Sequence, residues 1–353
     1  MLINKLLNLI KKNKEKKINR KFVCQAPFQS LVIENVGCFV CCSNWCSLYK
    51  VGDIFKQSYK EIWNSKEIQN LRKMMIDGKA QTICKADICP YFLTRDFGEF
   101  NVNPNVENNI VMKTSPQIVK FGYDAECNIN CNFCRDKIIR NTEEQNKQYD
   151  ALISKKFLPA LKDAKIVIIN ASGDPFASRH SQKLIGEISK KYKYIKFDIL
   201  TNGTLCSEMM LKKLNLLDNI YKIRISLNAA SEETYNKVCP GNGQLFNTIL
   251  ENIKFLSKLK DEKNFELHIQ MVITSDNYKD IPKFIKFVHQ YNSIASLWEF
   301  FPDCCTYENA PIGRLNIFDR SHENHKDLLT VLQDPILKLS NVNLSPLIKS
   351  LIK

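Results

Sequence analysis

Three cysteines lie close together in the segment Tyr123-Asp-Ala-Glu-Cys127-Asn-Ile-Asn-Cys131-Asn-Phe-Cys134-Arg135. Three thiolates on one loop can bind three irons of a [4Fe–4S] cube. A fourth cysteine would saturate the cube, whereas three leave one iron open to bind a substrate or a cofactor. The alternative is a zinc site with a fourth ligand from elsewhere in the chain. Because zinc loops more often use C-x2-C pairs, this spacing favours the iron–sulfur cluster.

The chain has 14 cysteines in 353 residues, and several are clustered. A disulfide framework is typical of short secreted chains, and the N-terminal residues do not resemble a cleavable signal peptide. We also find no apolar run near the roughly 20 residues that span a bilayer. We therefore expect a cytoplasmic protein whose clustered cysteines bind metal or iron–sulfur clusters. The net charge of +14 comes from lysines along most of the chain, and without an RNA-binding motif we do not expect a nucleic-acid partner.

The chain divides into segments of different character. From residue 116 onward, strands alternate with helical stretches, which is typical of parallel βα units. The predicted segments are a basic tail (1–20), a cysteine-rich domain (21–99), a linker (100–115), a core domain (116–318) and a C-terminal extension of helix and loop (319–353). The predicted strands are Ile118–Tyr123, Lys165–Asn170, Lys196–Leu200, Lys222–Leu227, Glu266–Ile273 and Ser296–Phe300.

Six such units predict an α/β fold, a partial (βα)6 barrel of the TIM type that opens to one side. Apolar residues from Phe246 to Leu259 recur with helical spacing and predict a helix. Ser231 is a plausible N-cap for the preceding helix. In parallel α/β folds the chemistry lies at the carboxyl ends of the strands, and the three-cysteine loop follows the first of these strands.

The C-x3-C-x-aromatic-C pattern after the first strand resembles the hallmark of the radical S-adenosylmethionine (SAM) superfamily. The resemblance covers roughly residues 116–300. It implies that Cys127, Cys131 and Cys134 hold a catalytic [4Fe–4S] cluster whose open iron binds the amino and carboxylate groups of SAM. One electron would cleave SAM to methionine and a 5′-deoxyadenosyl radical, which abstracts hydrogen from a substrate. A reductase such as flavodoxin or ferredoxin would be a partner.

Later segments add to this resemblance. Ser172-Gly173-Asp174-Pro175, after the second strand, is similar to the family's Gly-Gly-Glu-Pro motif, which holds the amino group of SAM. Gly173 would let the backbone approach the ligand, and Asp174 could pair with a cation. The resemblance further implies that Phe133 packs near the adenine and that polar residues after strands three and four face SAM or the substrate. The residues expected to bind SAM are Phe133, Ser172, Gly173, Asp174, Pro175, Asn202, Ser226 and Asn228.

The cysteine-rich segment resembles the SPASM/twitch auxiliary-cluster domain, which follows the barrel in most relatives but precedes it here. The resemblance is carried by Gly52-Asp-Ile54, Ile62-Trp-Asn-Ser65, Leu71-Arg72 and Cys84-x4-Cys89-Pro90. It implies one auxiliary [4Fe–4S] cluster with the ligands Cys24, Cys41, Cys84 and Cys89. Cys42 could replace Cys41, and Cys38 and Cys46 are candidates for a further cluster. Zinc remains an alternative because four separated cysteines suit it equally well.

Four other cysteines, Cys206, Cys239, Cys304 and Cys305, lack ligand spacing, and a buried thiol is the default expectation for each. The Cys304-Cys305 pair lies just beyond the last predicted strand, where a role near the substrate is possible. As a whole the sequence predicts a radical SAM enzyme that modifies a peptide or protein. The alternatives are modification of a carbohydrate or nucleotide-sugar and, in another class, a non-catalytic zinc-binding interaction protein.

Overall fold

A computed structural model of the chain describes residues 24–41, 49–85, 89, 110–169, 172–302, 307 and 310–352. The predicted basic tail, Cys42, Cys46 and the Cys304-Cys305 pair lie outside these described residues. None of the described helices is long and apolar enough to cross a membrane.

The described strands form one open sheet of nine, in the order β2-β1-β3-β4-β5-β6-β7-β8-β9. Neighbouring strands pair in parallel, except in the antiparallel β1–β2 hairpin. Strands β3 to β8 correspond to the six predicted strands, so the α/β class of the partial TIM-like barrel is confirmed. The strands are β1 Ser30–Glu34, β2 Gly37–Phe39, β3 Ile118–Phe121, β4 Ile166–Ile169, β5 Lys196–Thr201, β6 Ile220–Ser226, β7 Glu266–Ile273, β8 Ile294–Glu299 and β9 Val342–Leu344.

Helices follow most of the core strands. The described α-helices are α1 Ala26–Gln29, α2 Tyr59–Trp63, α3 Lys66–Ile76, α4 Glu143–Leu152, α5 Leu158–Ala160, α6 Arg179–Lys191, α7 Glu208–Lys213, α8 Glu232–Val238, α9 Leu245–Lys263, α10 Ile281–Gln290, α11 Ile312–Leu315, α12 His325–Val331 and α13 Pro346–Leu351. A π-helical turn, Ile153–Phe157, joins α4 to α5. The predicted N-cap is confirmed, because the Ser231 hydroxyl accepts a hydrogen bond from the Thr234 backbone N–H.

The two faces of the core sheet differ in polarity. On β6, Ile223 and Ile225 are fully buried, and they alternate with the less buried Lys222, Arg224 and Ser226. Alternation along a strand places these two sets on opposite faces of the sheet. The apolar face packs with the helices, including the predicted stripe on α9. The opposite, polar face is called the inner face below.

The cysteine-rich segment is joined to the core sheet. Strand β1 pairs in parallel with β3, from Ser30 opposite Ile118 to Ile33 opposite Phe121. The ring of Phe55 lies 5.7 Å from that of Tyr123, edge to face, and Lys156 Nζ donates to the backbone oxygens of Ile54 and Phe55 at 2.7 and 3.0 Å. The segment therefore extends the sheet at its β3 edge and reaches the residues that lead to the three-cysteine loop.

Arg72 organises the interior of the same segment. Its side chain is fully buried and donates to the backbone oxygens of Pro27, Trp63 and Ile110 at 2.8, 2.9 and 2.8 Å. It also lies 4.6 Å from the ring centre of Trp63, and burial lowers its pKa to about 10. Helices α2 and α3 are separate because the side chain of Ser65 accepts a hydrogen bond from the Ile68 N–H and so caps the start of α3.

The C-terminal extension forms the other edge of the sheet. Its three-residue strand β9 pairs in parallel with β8. The expectation of helix and loop alone for this extension is therefore wrong, since three residues are too short to show the alternation that predicts a strand.

Candidate SAM and cluster site

The three-cysteine loop lies beyond the carboxyl end of β3. The Cys127 N–H donates to the Ile139 oxygen at 3.0 Å, which pairs the start of the loop with the chain that leaves it. The N–H groups of Cys134 and Arg135 both donate to the Cys131 oxygen, at 2.9 and 3.0 Å. These bonds fold the second half of the loop into a turn that carries two of the three thiols.

The thiols of this loop are withdrawn from solvent. Burial and the charge of Asp174 raise the pKa of Cys127 to about 11. Burial also raises the pKa of Cys134, although the nearby guanidinium of Arg135 opposes this shift. The Asn202 amide nitrogen lies 3.8 Å from the Cys127 sulfur. Three thiols on one loop, with N–H donors aimed at two of the sulfurs, form a donor set that fits an iron–sulfur cluster.

Arg135 joins the loop to its surroundings. Its Nε and Nη2 atoms each lie 3.4 Å from the Cys134 sulfur. Its Nη1 atom donates to the Ala125 oxygen at 2.8 Å, and Nη2 also donates to the Ser172 oxygen. In the sequence this arginine is only the last residue of the motif, and the cysteine spacing does not predict its bond to the turn after β4.

The turn after β4 is fastened to the loop by its backbone. The Gly173 N–H donates to the Asp124 oxygen at 3.0 Å, and the Asp174 N–H donates to the Glu126 oxygen at 2.7 Å. A Cβ atom at Gly173 would lie only 2.0 Å from the Glu126 oxygen. A glycine is therefore required here by close approach of two backbones, and the approach observed is to the cysteine loop itself.

The Asp174 carboxylate points into the protein. One oxygen accepts from Thr201 Oγ1 and the Asn202 N–H, both at 2.7 Å, and the other accepts from the Phe176 and Ala177 N–H groups at 3.0 and 3.2 Å. The residue is 1% exposed. Through these four hydrogen bonds the carboxylate holds the turn against the end of β5, and its pairing with a cation stays a prediction.

The other residues expected to bind SAM differ in how far they are exposed to solvent. Ser172 is exposed, while Phe133, Gly173 and Ser226 are partly buried. Pro175, Asn202 and Asn228 are buried. Asn202 lies beside the cysteine loop, where its amide nitrogen donates to Asn128 Oδ1 at 2.9 Å.

Asn228 joins the ends of two strands. Its backbone is left-handed, with φ of 61°, a conformation that asparagine tolerates better than most residues. Its side-chain oxygen accepts from the Val272 N–H at 2.9 Å, and its nitrogen donates to the Ser226 oxygen at 3.2 Å. An aspartate could not donate to the Ser226 oxygen, so this geometry explains why an asparagine occupies the position. The side chain is thereby committed to joining β6 to β7.

The inner face carries a series of paired charges that the sequence analysis missed. Arg224 Nε donates to Asp198 Oδ1 at 2.8 Å. Glu266 Oε2 lies 3.0 Å from Lys222 Nζ and 2.9 Å from His268 Nε2. Burial lowers the pKa of His268 despite this carboxylate. The alternation of polar and apolar residues along β6 and β7 was the signal that could have predicted this lining.

The C-terminal part of the chain also contacts the cysteine loop. The Tyr307 hydroxyl donates to the Asn132 backbone oxygen at 2.5 Å. The Asn132 amide nitrogen donates to Asp276 Oδ2 at 2.8 Å, and Arg314 binds the same carboxylate through two nitrogens, at 2.5 and 3.2 Å. These contacts hold the middle of the loop from the side of β7 and α11.

Cys206 and Cys239 are both buried, as predicted. Cys239 is not isolated, however, because its sulfur lies 3.0 Å from the Cys131 sulfur. Spacing could not predict this contact, since 108 residues separate the two cysteines.

Three of the four cysteines expected to hold the auxiliary cluster are partly buried, and Cys24 packs against the main core as well as against a smaller cluster. Cys24 and Cys41 pack against a small apolar cluster formed by Ala26, Ile118 and Ile168. Cys84 is partly buried against the main core, and Cys89 is buried. Within the described ranges, no three histidine, cysteine or acidic side chains converge closely enough to surround a single metal ion.

Cys38, a candidate for a further cluster, is a core residue of β2. Its backbone N–H and oxygen bond to Gly52 and Val51 at 2.7 and 2.8 Å, and burial raises the pKa of its thiol to about 12.

Comparison with known proteins agrees with these observations. The model of the radical SAM superfamily matches residues 125–288, and the model of an iron–sulfur cluster-binding domain, SPASM, matches residues 24–90. An uncharacterized protein of Methanocaldococcus jannaschii is 31% identical over 133 residues, which cover 38% of this chain and 41% of that protein. The AdoMet-dependent heme synthase of Methanosarcina barkeri is 22% identical over 189 residues, 53% of this chain and 51% of that protein. The chain thus matches about half the length of these curated relatives, or less.

Among solved structures, Streptococcus suis SuiB bound to the precursor peptide SuiA is 16% identical, with a TM-score of 0.45, over 82% of this chain and 64% of that one. The radical SAM domain implies a [4Fe–4S] cluster and SAM as cofactors, and the SPASM domain implies an auxiliary iron–sulfur cluster. The chain therefore contains a radical SAM domain at residues 125–288 and, before it in the sequence rather than after it, an iron–sulfur cluster-binding SPASM domain at residues 24–90.

Proposed function

We propose that the chain cleaves SAM reductively at a [4Fe–4S] cluster held by Cys127, Cys131 and Cys134, and that it abstracts hydrogen from a peptide or protein. The observation that carries this proposal is the loop of three thiols, one buried and two partly buried, which is fastened by its backbone to the Gly173 turn at the carboxyl edge of the sheet. When bound, the cluster supplies the electron that breaks a carbon–sulfur bond of SAM, giving methionine and the radical that takes a hydrogen atom from the substrate.

The residues around the loop have defined tasks in this proposal. The exposed Ser172 and the backbone of its turn face the amino acid part of SAM, while the Asp174 side chain keeps the turn in place from behind. Phe133 contacts the adenine, and Asn202 and Ser226 bind the ribose or the substrate. Asn228 orients the end of β6 without touching SAM, because both ends of its amide are bonded to protein.

The substrate lies on the inner face, below the cysteine loop. Asp198, Lys222, Arg224, Glu266 and His268 of this face are paired with one another, so that these five residues offer polar contacts with little unbalanced charge. Such a wall suits the amide groups of a peptide. In the SPASM domain, Cys24, Cys41, Cys84 and Cys89 would hold an auxiliary cluster, which would supply an electron acceptor for the substrate radical or an anchor for the substrate. A flavodoxin or ferredoxin supplies electrons to the catalytic cluster.

The first experiment asks whether the anaerobically purified and reduced protein converts SAM to 5′-deoxyadenosine. We expect product from the wild type and from Cys206→Ala, which removes a buried thiol outside the loop, and none from Cys127→Ala. Equal product from Cys127→Ala would show that the loop is not the site. The Cys127/Cys131/Cys134→Ala triple variant should retain about four irons if one auxiliary cluster is present. A colourless zinc protein would instead indicate the non-catalytic alternative.

The second experiment tests the substrate class. Short peptides encoded beside the gene are incubated, in uniformly deuterated form, with the reduced enzyme and SAM. Transfer of deuterium into 5′-deoxyadenosine, with a matching mass change of the peptide, would support the proposal. Transfer from a deuterated sugar or nucleotide-sugar and from none of the peptides would contradict the peptide assignment while leaving SAM cleavage intact.

A further inference from the structure

Cys239 lies beside a cysteine of the loop and is itself outside the three-cysteine motif. Its sulfur is 3.0 Å from the Cys131 sulfur, and the residue is 1% exposed. Water therefore does not compete for its S–H group, and the Cys131 sulfur lies within reach of that group. A cysteine thiol is a weak hydrogen-bond donor, but burial strengthens such a contact.

The position of Cys239 is fixed from two sides. Cys239 follows the last residue of α8, and its N–H donates to the Tyr235 oxygen at 2.7 Å. The two residues before it are tied to the cysteine loop, since the Val238 oxygen accepts from the Asn132 N–H at 2.9 Å and the Lys237 oxygen accepts from the Asn132 amide at 2.8 Å. The end of α8 and the loop thus form one bonded unit that holds the two sulfurs together.

A second observation points to the same place. The Tyr235 side chain is 1% exposed and lies beside the same two thiols. Burial and the nearby thiols of Cys239 and Cys131 raise its pKa. A buried tyrosine thus covers the contact between the two sulfurs and helps to keep water away from it.

We propose that Cys239 is a positioning residue that donates its S–H hydrogen bond to the Cys131 sulfur and thereby raises the reduction potential of the catalytic cluster. The inference rests on the proposed function, because it requires Cys131 to be a cluster ligand. Reduction adds negative charge to the cluster and its thiolates, and a donor at a ligand sulfur stabilises that charge. The cluster then accepts its electron more readily from a flavodoxin or ferredoxin.

The test is a potential measurement on the reconstituted holoprotein under anaerobic conditions. Redox titrations follow the electron paramagnetic resonance signal that changes on addition of SAM, which identifies the catalytic cluster. We expect Cys239→Ala to shift its midpoint potential to a more negative value, and Cys239→Ser to shift it less because the hydroxyl still donates. The matched control is Cys206→Ala, which removes a fully buried thiol that makes no hydrogen bond to a cluster ligand among the described residues and should leave the potential unchanged.

Three results would overturn the proposal. An unchanged potential in both Cys239 variants would show that the thiol does not act on the cluster. A [4Fe–4S] cube holds four irons. Loss of about four irons in both Cys239→Ala and Cys239→Ser would therefore show that Cys239 is itself a ligand. A Cys131–Cys239 disulfide in tryptic peptides of the active holoprotein would exclude a thiol donor. If the wild type makes 5′-deoxyadenosine in any of these cases, the proposed function stands and only this inference falls.

Discussion

The Arg135 guanidinium lies 3.4 Å from the Cys134 sulfur through both Nε and Nη2, and it donates at the same time to Ala125 and Ser172. One side chain therefore links the cysteine loop, the chain that enters the loop, and the turn after β4. It is 5% exposed, so its charge acts on the sulfur with little screening by water.

Replacing Arg135 by lysine should weaken retention of the catalytic cluster. A lysine keeps the charge but cannot reach the sulfur and both carbonyl oxygens with one planar group. We expect faster loss of iron to a chelator and at least a tenfold fall in the rate of 5′-deoxyadenosine formation, which corresponds to about 1.4 kcal/mol. Arg179→Lys, at an exposed surface pair with Glu143, is the control and should behave as the wild type. Equal iron loss in the two variants would contradict the role assigned to Arg135.

Replacing Gly173 by alanine should disrupt the contact between the β4 turn and the cysteine loop. The new Cβ would meet the Glu126 backbone at 2.0 Å, so the loop must move. We expect destabilisation of about 3 kcal/mol or more, together with loss of SAM cleavage, measured by chemical denaturation and by product formation. The matched control is Gly186→Ala on α6, where nothing lies within 4 Å of the new methyl group. That change should stabilise the helix by about 0.5–1 kcal/mol.

Binding of the catalytic cluster should tighten as the pH rises from 7 to 9. Burial first, and then Asp174, raise the pKa of Cys127 to about 11, so the thiol is protonated throughout this range before the cluster binds. Because the cluster binds thiolates, protons compete with it, and this competition weakens as the pH rises towards the raised pKa. Iron transfer to a competing chelator measures the effect, and the triple cysteine variant corrects for the auxiliary cluster. If iron transfer to the chelator, after correction for the auxiliary cluster, does not change with pH, this prediction is wrong.

Replacing Arg72 by lysine should destabilise the cysteine-rich segment and leave the structure of the catalytic loop unchanged. Arg72 donates hydrogen bonds to three backbone oxygens and to the side-chain oxygen of Asn64, and a lysine cannot donate to all four. Each buried acceptor left without a donor costs about 1–3 kcal/mol, and we expect a total loss of about 3 kcal/mol or more. Hydrogen exchange along α3, compared with that along α9, would locate the effect. Lys73→Arg, at the exposed neighbouring position, should leave exchange unchanged.

The sequence alone predicted the features that depend on short spacing. The C-x3-C-x2-C motif indicated the cluster loop, and the repeated strand and helix patterns predicted the six parallel strands from Ile118 to Glu299. These signals are local, because the thiols of one loop and the period of one strand or helix are set by neighbours in the chain. The SPASM match at residues 24–90 was predicted in the same way, from motifs read along the chain.

Only the tertiary structure decided which distant residues act on that loop. The contact of Cys239 with Cys131, the inward turn of the Asp174 carboxylate and the pairing of β1 with β3 all join positions far apart in sequence. Each depends on how two elements meet in space, which no local spacing encodes. The cysteines of the loop were therefore evident from the sequence, whereas the groups that bury, orient and contact their sulfurs became apparent only when the strands were assembled into one sheet.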